Sequence, residues 1–156
     1  MWKAILFYVI DLLWTAFRVR FMNKKYLVGN DLVNFWLKEA IPNFGNGVTR
    51  KTLDRKYNVV SEDTFKKFAF IDPTDKFKYF KESFDCDDFA LNFKAMMALI
   101  FGVNSIGVVI DDSGGHAYNV VLLSNGSVKF FEPQTDKWLE VGEGQKYELK
   151  AGLILL

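Results

Sequence analysis

The sequence predicts a single α+β domain, with helices in its first two-thirds and a small antiparallel sheet after them. Two observations carry this prediction. A long apolar helical pattern opens at Asp85-Cys86-Asp87-Asp88 and stops at Gly102. Short apolar runs then follow on both sides of a Ser124-Asn125-Gly126 turn signal, in the order expected of hairpin-linked strands.

Taken in order, the first element is an apolar helix over about Trp2 to Arg20. Its apolar stretch, Ala4 to Phe17, spans about 21 Å as a helix, short of a ~30 Å hydrocarbon core. Phe21-Met22-Asn23-Lys24 follows it, without the small-residue cleavage site of a signal peptide. Residues 1–20 are therefore read as a buried helix or one that docks on a larger assembly or a membrane surface. A cytoplasmic location is expected. A second helix runs from Asn30, its expected N-cap, to Pro42. Residues 48–58 are basic and weakly periodic, and read as a short helix. Ser61 caps a helix through Ile71, with Glu62 and Asp63 at its positive end and Asp72-Pro73 breaking it. Lys76 to Phe84 reads as an exposed turn or short helix. Ile106–Ile110, His116–Leu123, Ser127–Glu132 and Leu153–Leu156 read as strands. No linker or repeat divides residues 1–156.

Composition narrows the function. Twenty basic and 19 acidic side chains leave a formal net charge of +1, so no global field points to nucleic acid. Half the residues are hydrophobic and 17% aromatic, 16 of them Phe, which suits a core of large rings. The one cysteine forms no intramolecular disulfide, and with one histidine an ordinary Cys/His zinc site is out of reach.

The candidate chemistry lies at element ends. Cys86 sits in the first turn of a helix, where unpaired N–H groups and the dipole favour the negative charge a cysteine nucleophile needs. Asp85, Asp87 and Asp88 oppose that charge, and the competing reading is a well-capped helix with an incidental cysteine. His116 begins a strand after Gly114-Gly115, and Glu132 ends the next, where a carboxylate can orient an imidazole. The register matters. A two-residue turn pairs Asn119 with Glu132 and puts His116 and Glu132 on opposite faces. A three-residue turn with a bulge at Gly126 sets His116 opposite Gln134 and brings His116 and Glu132 to one face. The catalytic reading predicts the second turn. Gln134 and the backbone N–H of Cys86 are candidate oxyanion donors. Asp85, Asp87, Asp88, Asp111 and Asp112 are hard oxygen donors, without the spacing of an EF-hand.

Phe84-Asp85-Cys86-Asp87-Asp88-Phe89-Ala90, Gly115-His116-Ala117-Tyr118-Asn119 and Phe131-Glu132-Pro133-Gln134-Thr135-Asp136 resemble the papain-like C-terminal domain of the Marasmius oreades agglutinin and its phage-encoded relatives. The resemblance spans Tyr26 to Trp138. It implies a papain-like cysteine protease fold, a Cys86–His116–Glu132 triad acting on a peptide or protein substrate, and calcium dependence, with Asp87 and Asp88 as the metal-site candidates. The glutamine that such enzymes carry just before the cysteine is missing from Lys76–Asp85. That gap motivates the alternative expectation: a catalytically silent structural or binding module of a phage assembly.

Overall fold

The computed structural model describes residues 24–156. The helix expected over Trp2–Arg20, with its docking role, lies outside the described residues. Eight strands and three α-helices follow in the order β1 (Tyr26–Gly29), α1 (Asn30–Ala40), β2 (Val48–Lys51), β3 (Lys56–Val59), α2 (Glu62–Ile71), α3 (Cys86–Phe101), β4 (Ile106–Asp111), β5 (His116–Leu122), β6 (Val128–Glu132), β7 (Lys137–Leu139) and β8 (Gly152–Leu155). A 3₁₀ turn, Thr74–Lys76, lies between α2 and α3. No helix among the described residues is long and apolar enough to cross a membrane.

The main sheet has six strands in the order β2-β8-β4-β5-β6-β7, and β1 pairs with β3 in a separate ribbon. This is more sheet than the helices-on-a-small-sheet arrangement expected. Residues 48–58 are not a helix: Val48–Lys51 lies parallel to β8, and Lys56–Val59 pairs with β1. Their partners lie far away in the chain, and tertiary pairing overrides weak local periodicity.

Both sheet faces are covered. On one face Val33 and Leu37 of α1 meet Tyr118, Val120, Leu122 and Ile154. On the other, Phe65 and Phe68 of α2 and Phe93, Met97 and Phe101 of α3 meet Ile106, Val121 and Phe131. Alternation along β5 therefore sends even-numbered residues to the α1 side and odd-numbered ones to the α2/α3 side. Large rings fill the second layer, with Phe68 and Phe101 stacked at 4.4 Å and Phe65 edge-on to Phe131 at 5.0 Å. Such pairs add to area burial because the ring edge and face carry opposite partial charges.

Helix ends follow their sequence signals closely. Ser61 Oγ accepts the Thr64 N–H at the start of α2. Gly102 ends α3 at φ 65°, the left-handed conformation that glycine adopts without a Cβ penalty. The N-cap of α1 is Gly29, one residue before the expected Asn30.

Candidate functional site

Three elements bring the motif residues together. The start of α3 carries Cys86. The start of β5 carries His116, and the end of β6, its neighbour, carries Glu132. Asn119 fixes α3 on β5: it is fully buried, and its Nδ2 donates to the Ala90 carbonyl at 2.9 Å and to the Gly107 carbonyl at 3.1 Å. One strand thus both presents His116 and anchors the helix of Cys86.

The β5–β6 turn has three residues. Asn119 pairs with Phe131 and Leu122 with Val128, Leu123 and Gly126 are hydrogen-bonded, and Gly126 has φ 86°. His116 and Glu132 therefore share a face, and His116 Nε2 lies 2.7 Å from Glu132 Oε2. A carboxylate oxygen accepts here, so Nε2–H is the donor, and in the neutral ring Nδ1 is then the acceptor. Glu132 is held again from behind: its Oε1 accepts the Gln134 backbone N–H at 3.2 Å. Gln134 thus supports Glu132 through its main chain.

The loop before His116 is organised by Asp111, which is buried. Its Oδ1 accepts Ser113 Oγ at 2.6 Å and the Gly114 N–H at 2.8 Å. Its Oδ2 accepts Tyr118 Oη and the Leu149 N–H, each at 3.3 Å. Burial and the Asp111 charge push the Tyr118 hydroxyl far above its usual range, so it stays a neutral donor. With four donors on its two oxygens, Asp111 has no lone pair left for a metal ion and serves as a structural post. A Cβ on Gly114 would lie 2.7 Å from Asp111 Oδ2, so the loop needs glycine there. Sequence reading missed Tyr147, whose ring stacks on His116 at 4.8 Å and 23°. The only signal was a lone aromatic in the polar run 140–150.

Cys86 is half-buried and lines a shallow groove of about 360 Å³ with Asp87, Asp112, Gly115 and His116. No hydrogen bond joins Cys86 Sγ to another described residue. At the rim, hydrogen bonding with Asp87 holds Asp85 below the usual carboxylate range, and the same interaction pushes Asp87 up. Asp88 Oδ2 accepts the Asp85 N–H at 3.1 Å. One oxygen of Asp88, expected as a metal candidate, thus serves the helix start. A larger groove of about 570 Å³ lies elsewhere, between α1 and β2, lined by Asn34, Phe35, Lys38 and Arg50. None of the motif residues reaches it.

The family model of the ricin-type beta-trefoil lectin C-terminal domain matches residues 31–156. Among solved structures the chain is similar to PSL1a, solved as the PSL1a–E64 complex, at 24% identity and a TM-score of 0.63, over 83% of this chain and 51% of that one. It is similar also to Polyporus squamosus lectin bound to the human-type influenza-binding epitope Neu5Aca2-6Galb1-4GlcNAc, at 22% identity and a TM-score of 0.62, over 83% of this chain and 49% of that one. No curated protein matches. The chain spans about half the length of these two structures, and at such identities the likeness is one of fold.

These findings correct three expectations. The papain-like cysteine protease fold gives way to the sheet-rich fold shared with these lectin chains. The cysteine hydrolase, with its peptide substrate, gives way because the matching family model and the named structural relative are lectins. Of the resemblance to an agglutinin domain, the relation to lectins stands, and neither its papain-like part nor a phage origin finds support in these matches.

Proposed function

We propose that this chain, which belongs to the ricin-type beta-trefoil lectin C-terminal domain family, is a non-catalytic binding module for a carbohydrate, with the groove of Cys86, Asp87, Asp112 and His116 as its ligand site. The observation that carries the reading is the His116–Glu132 pair, held at 2.7 Å and braced by the Gln134 N–H. Recognition sites combine a few fixed polar groups with a shaped wall, because a group that is already oriented loses little freedom on binding.

The groove's chemistry suits a hydroxyl-rich ligand. Asp87, Asp112 and the free ring nitrogen of His116 are acceptors for sugar O–H donors. The local charge is negative, so a neutral saccharide fits better than one bearing a carboxylate. The sialylated epitope belongs to the Polyporus squamosus lectin, and that protein's glycan site is not transferred to a chain half its length.

Isothermal calorimetry with Galβ1-4GlcNAc, and with its sialylated form as comparison, tests the reading. The neutral disaccharide should bind the wild-type chain, at least tenfold more weakly after His116→Ala, and nearly unchanged after Cys86→Ala. Absence of binding, or a ligand consumed or captured covalently through Cys86, overturns it.

A further inference from the structure

The larger groove, of about 570 Å³ between α1 and β2, carries the opposite charge to the one beside Cys86. Lys38 and Arg50 line it, and among the described residues no acidic side chain does. Arg50 is half-buried and held in one orientation. Its Nη1 donates to Asn34 Oδ1 at 2.5 Å and its Nη2 to Tyr57 Oη at 2.8 Å. The guanidinium carbon lies 5.3 Å from the centre of the Tyr57 ring. Tyr57 is fully buried, and its hydroxyl donates onward to the Leu156 main-chain oxygen at 3.1 Å. Both side chains that hold Arg50 are therefore neutral. Arg50 Nε is buried and makes no hydrogen bond. Among the described residues, no ion pair involves Arg50 or Lys38.

A guanidinium keeps its charge at any ordinary pH and carries five N–H donors in a rigid fork. At Arg50 the bonds that fix the fork end on uncharged oxygens. A partly buried cation held by neutral partners lacks a counterion, and burial makes that lack unfavourable. Lys38, exposed one helical turn after Asn34, adds a second positive charge at the same groove. Phe35, 58% exposed, and Phe44 supply an apolar wall.

We infer that Arg50 and Lys38 form the binding site of an organic carboxylate whose apolar part packs on Phe35. A planar fork matches a carboxylate through parallel N–H···O bonds, and a guanidinium that is already oriented loses little freedom in making them. Asn34 and Tyr57 act as positioning residues, because they hold Arg50 without adding charge. The inference does not depend on what the Cys86 groove binds.

Titration of the full chain with sodium benzoate tests the site, followed by the ¹H–¹⁵N signals of Arg50 Nε–H and of the Phe35 and Lys38 amides. Benzoate should saturate these shifts with a Kd of about 1 mM. Benzamide, the neutral isostere, should bind at least about tenfold more weakly, and acetate, which lacks the ring, about fivefold more weakly. Arg50→Lys keeps the charge but loses the fork, and should weaken benzoate about tenfold. Lys38→Gln, at an exposed position that β2 does not need for folding, should weaken it about threefold. Phe35→Ala should weaken benzoate and leave acetate unchanged. His116→Ala should bind benzoate as the wild type does, which separates this site from the other groove. If benzamide binds as tightly as benzoate, the groove is only apolar and the inference is overturned. It is overturned equally if benzoate gives no response up to about 20 mM, or if Lys38→Gln and Arg50→Lys both bind it like the wild type.

Discussion

Asn119 Nδ2 donates to the Ala90 carbonyl at 2.9 Å across the buried boundary between β5 and α3. The bond ties the helix that starts at Cys86 to the strand that starts at His116. Replacing Asn119 by Ala leaves the Ala90 and Gly107 carbonyls short of a donor in the core. A buried hydrogen-bonded group lost in this way costs about 1–3 kcal/mol. Urea unfolding of Asn119→Ala should show that loss, and an unchanged midpoint would mean that packing alone seats α3.

The chain has one histidine, so its ring nitrogens can be read without assignment ambiguity. Long-range ¹H–¹⁵N spectra at neutral pH should show the proton on Nε2 in the wild type, because Glu132 accepts there. Glu132→Ala should release the ring into a mixture of tautomers. Gln134→Ala should leave the spectrum unchanged, since only its main-chain N–H reaches Glu132. A tautomer shift on Gln134→Ala would return a role to the side-chain amide.

Stability should depend on pH through Asp136. Its carboxyl is raised from 3.8 to about 6 by burial and by Asp75 and Asp72, with Lys76 partly offsetting them. A carboxyl raised in the folded state contributes stability that is complete below pH 3.8. That contribution is lost as pH rises through about 6, because the folded protein must then give up a proton it holds tightly. The group is partly exposed, so screening reduces the effect to about 1 kcal/mol. Asp136→Asn should be more stable than wild type at pH 8 by that amount, and the two should converge at pH 4. Equal stabilities at pH 8 would contradict the charge cluster.

Much of this site was legible in the sequence because its signals are local. Asp85 and Gly102 bracket α3, and the condition for His116 and Glu132 to meet, a three-residue turn ending at Gly126, could be stated from register alone. What was not legible depends on distant partners. β2 pairs with β8 about a hundred residues later, and β1 and β7 are too short to show a period. Tyr147 reaches His116 from a run without regular structure, and the burial of Asp72 and Thr74 becomes visible only in the fold. The larger correction, from a papain-like protease to a lectin family, has a related cause. Three short motif blocks describe a local arrangement of side chains, and such arrangements do not fix function.

The measurement that bears most directly on the binding-module reading is a ¹H–¹⁵N titration of the full chain with Galβ1-4GlcNAc. The expected result is a saturable shift of the Asp87, Gly115, His116 and Ala117 amides, lost in His116→Ala and kept in Cys86→Ala. Shifts confined to Asn34, Lys38 and Arg50 in the groove between α1 and β2, or no shift at all, would contradict it.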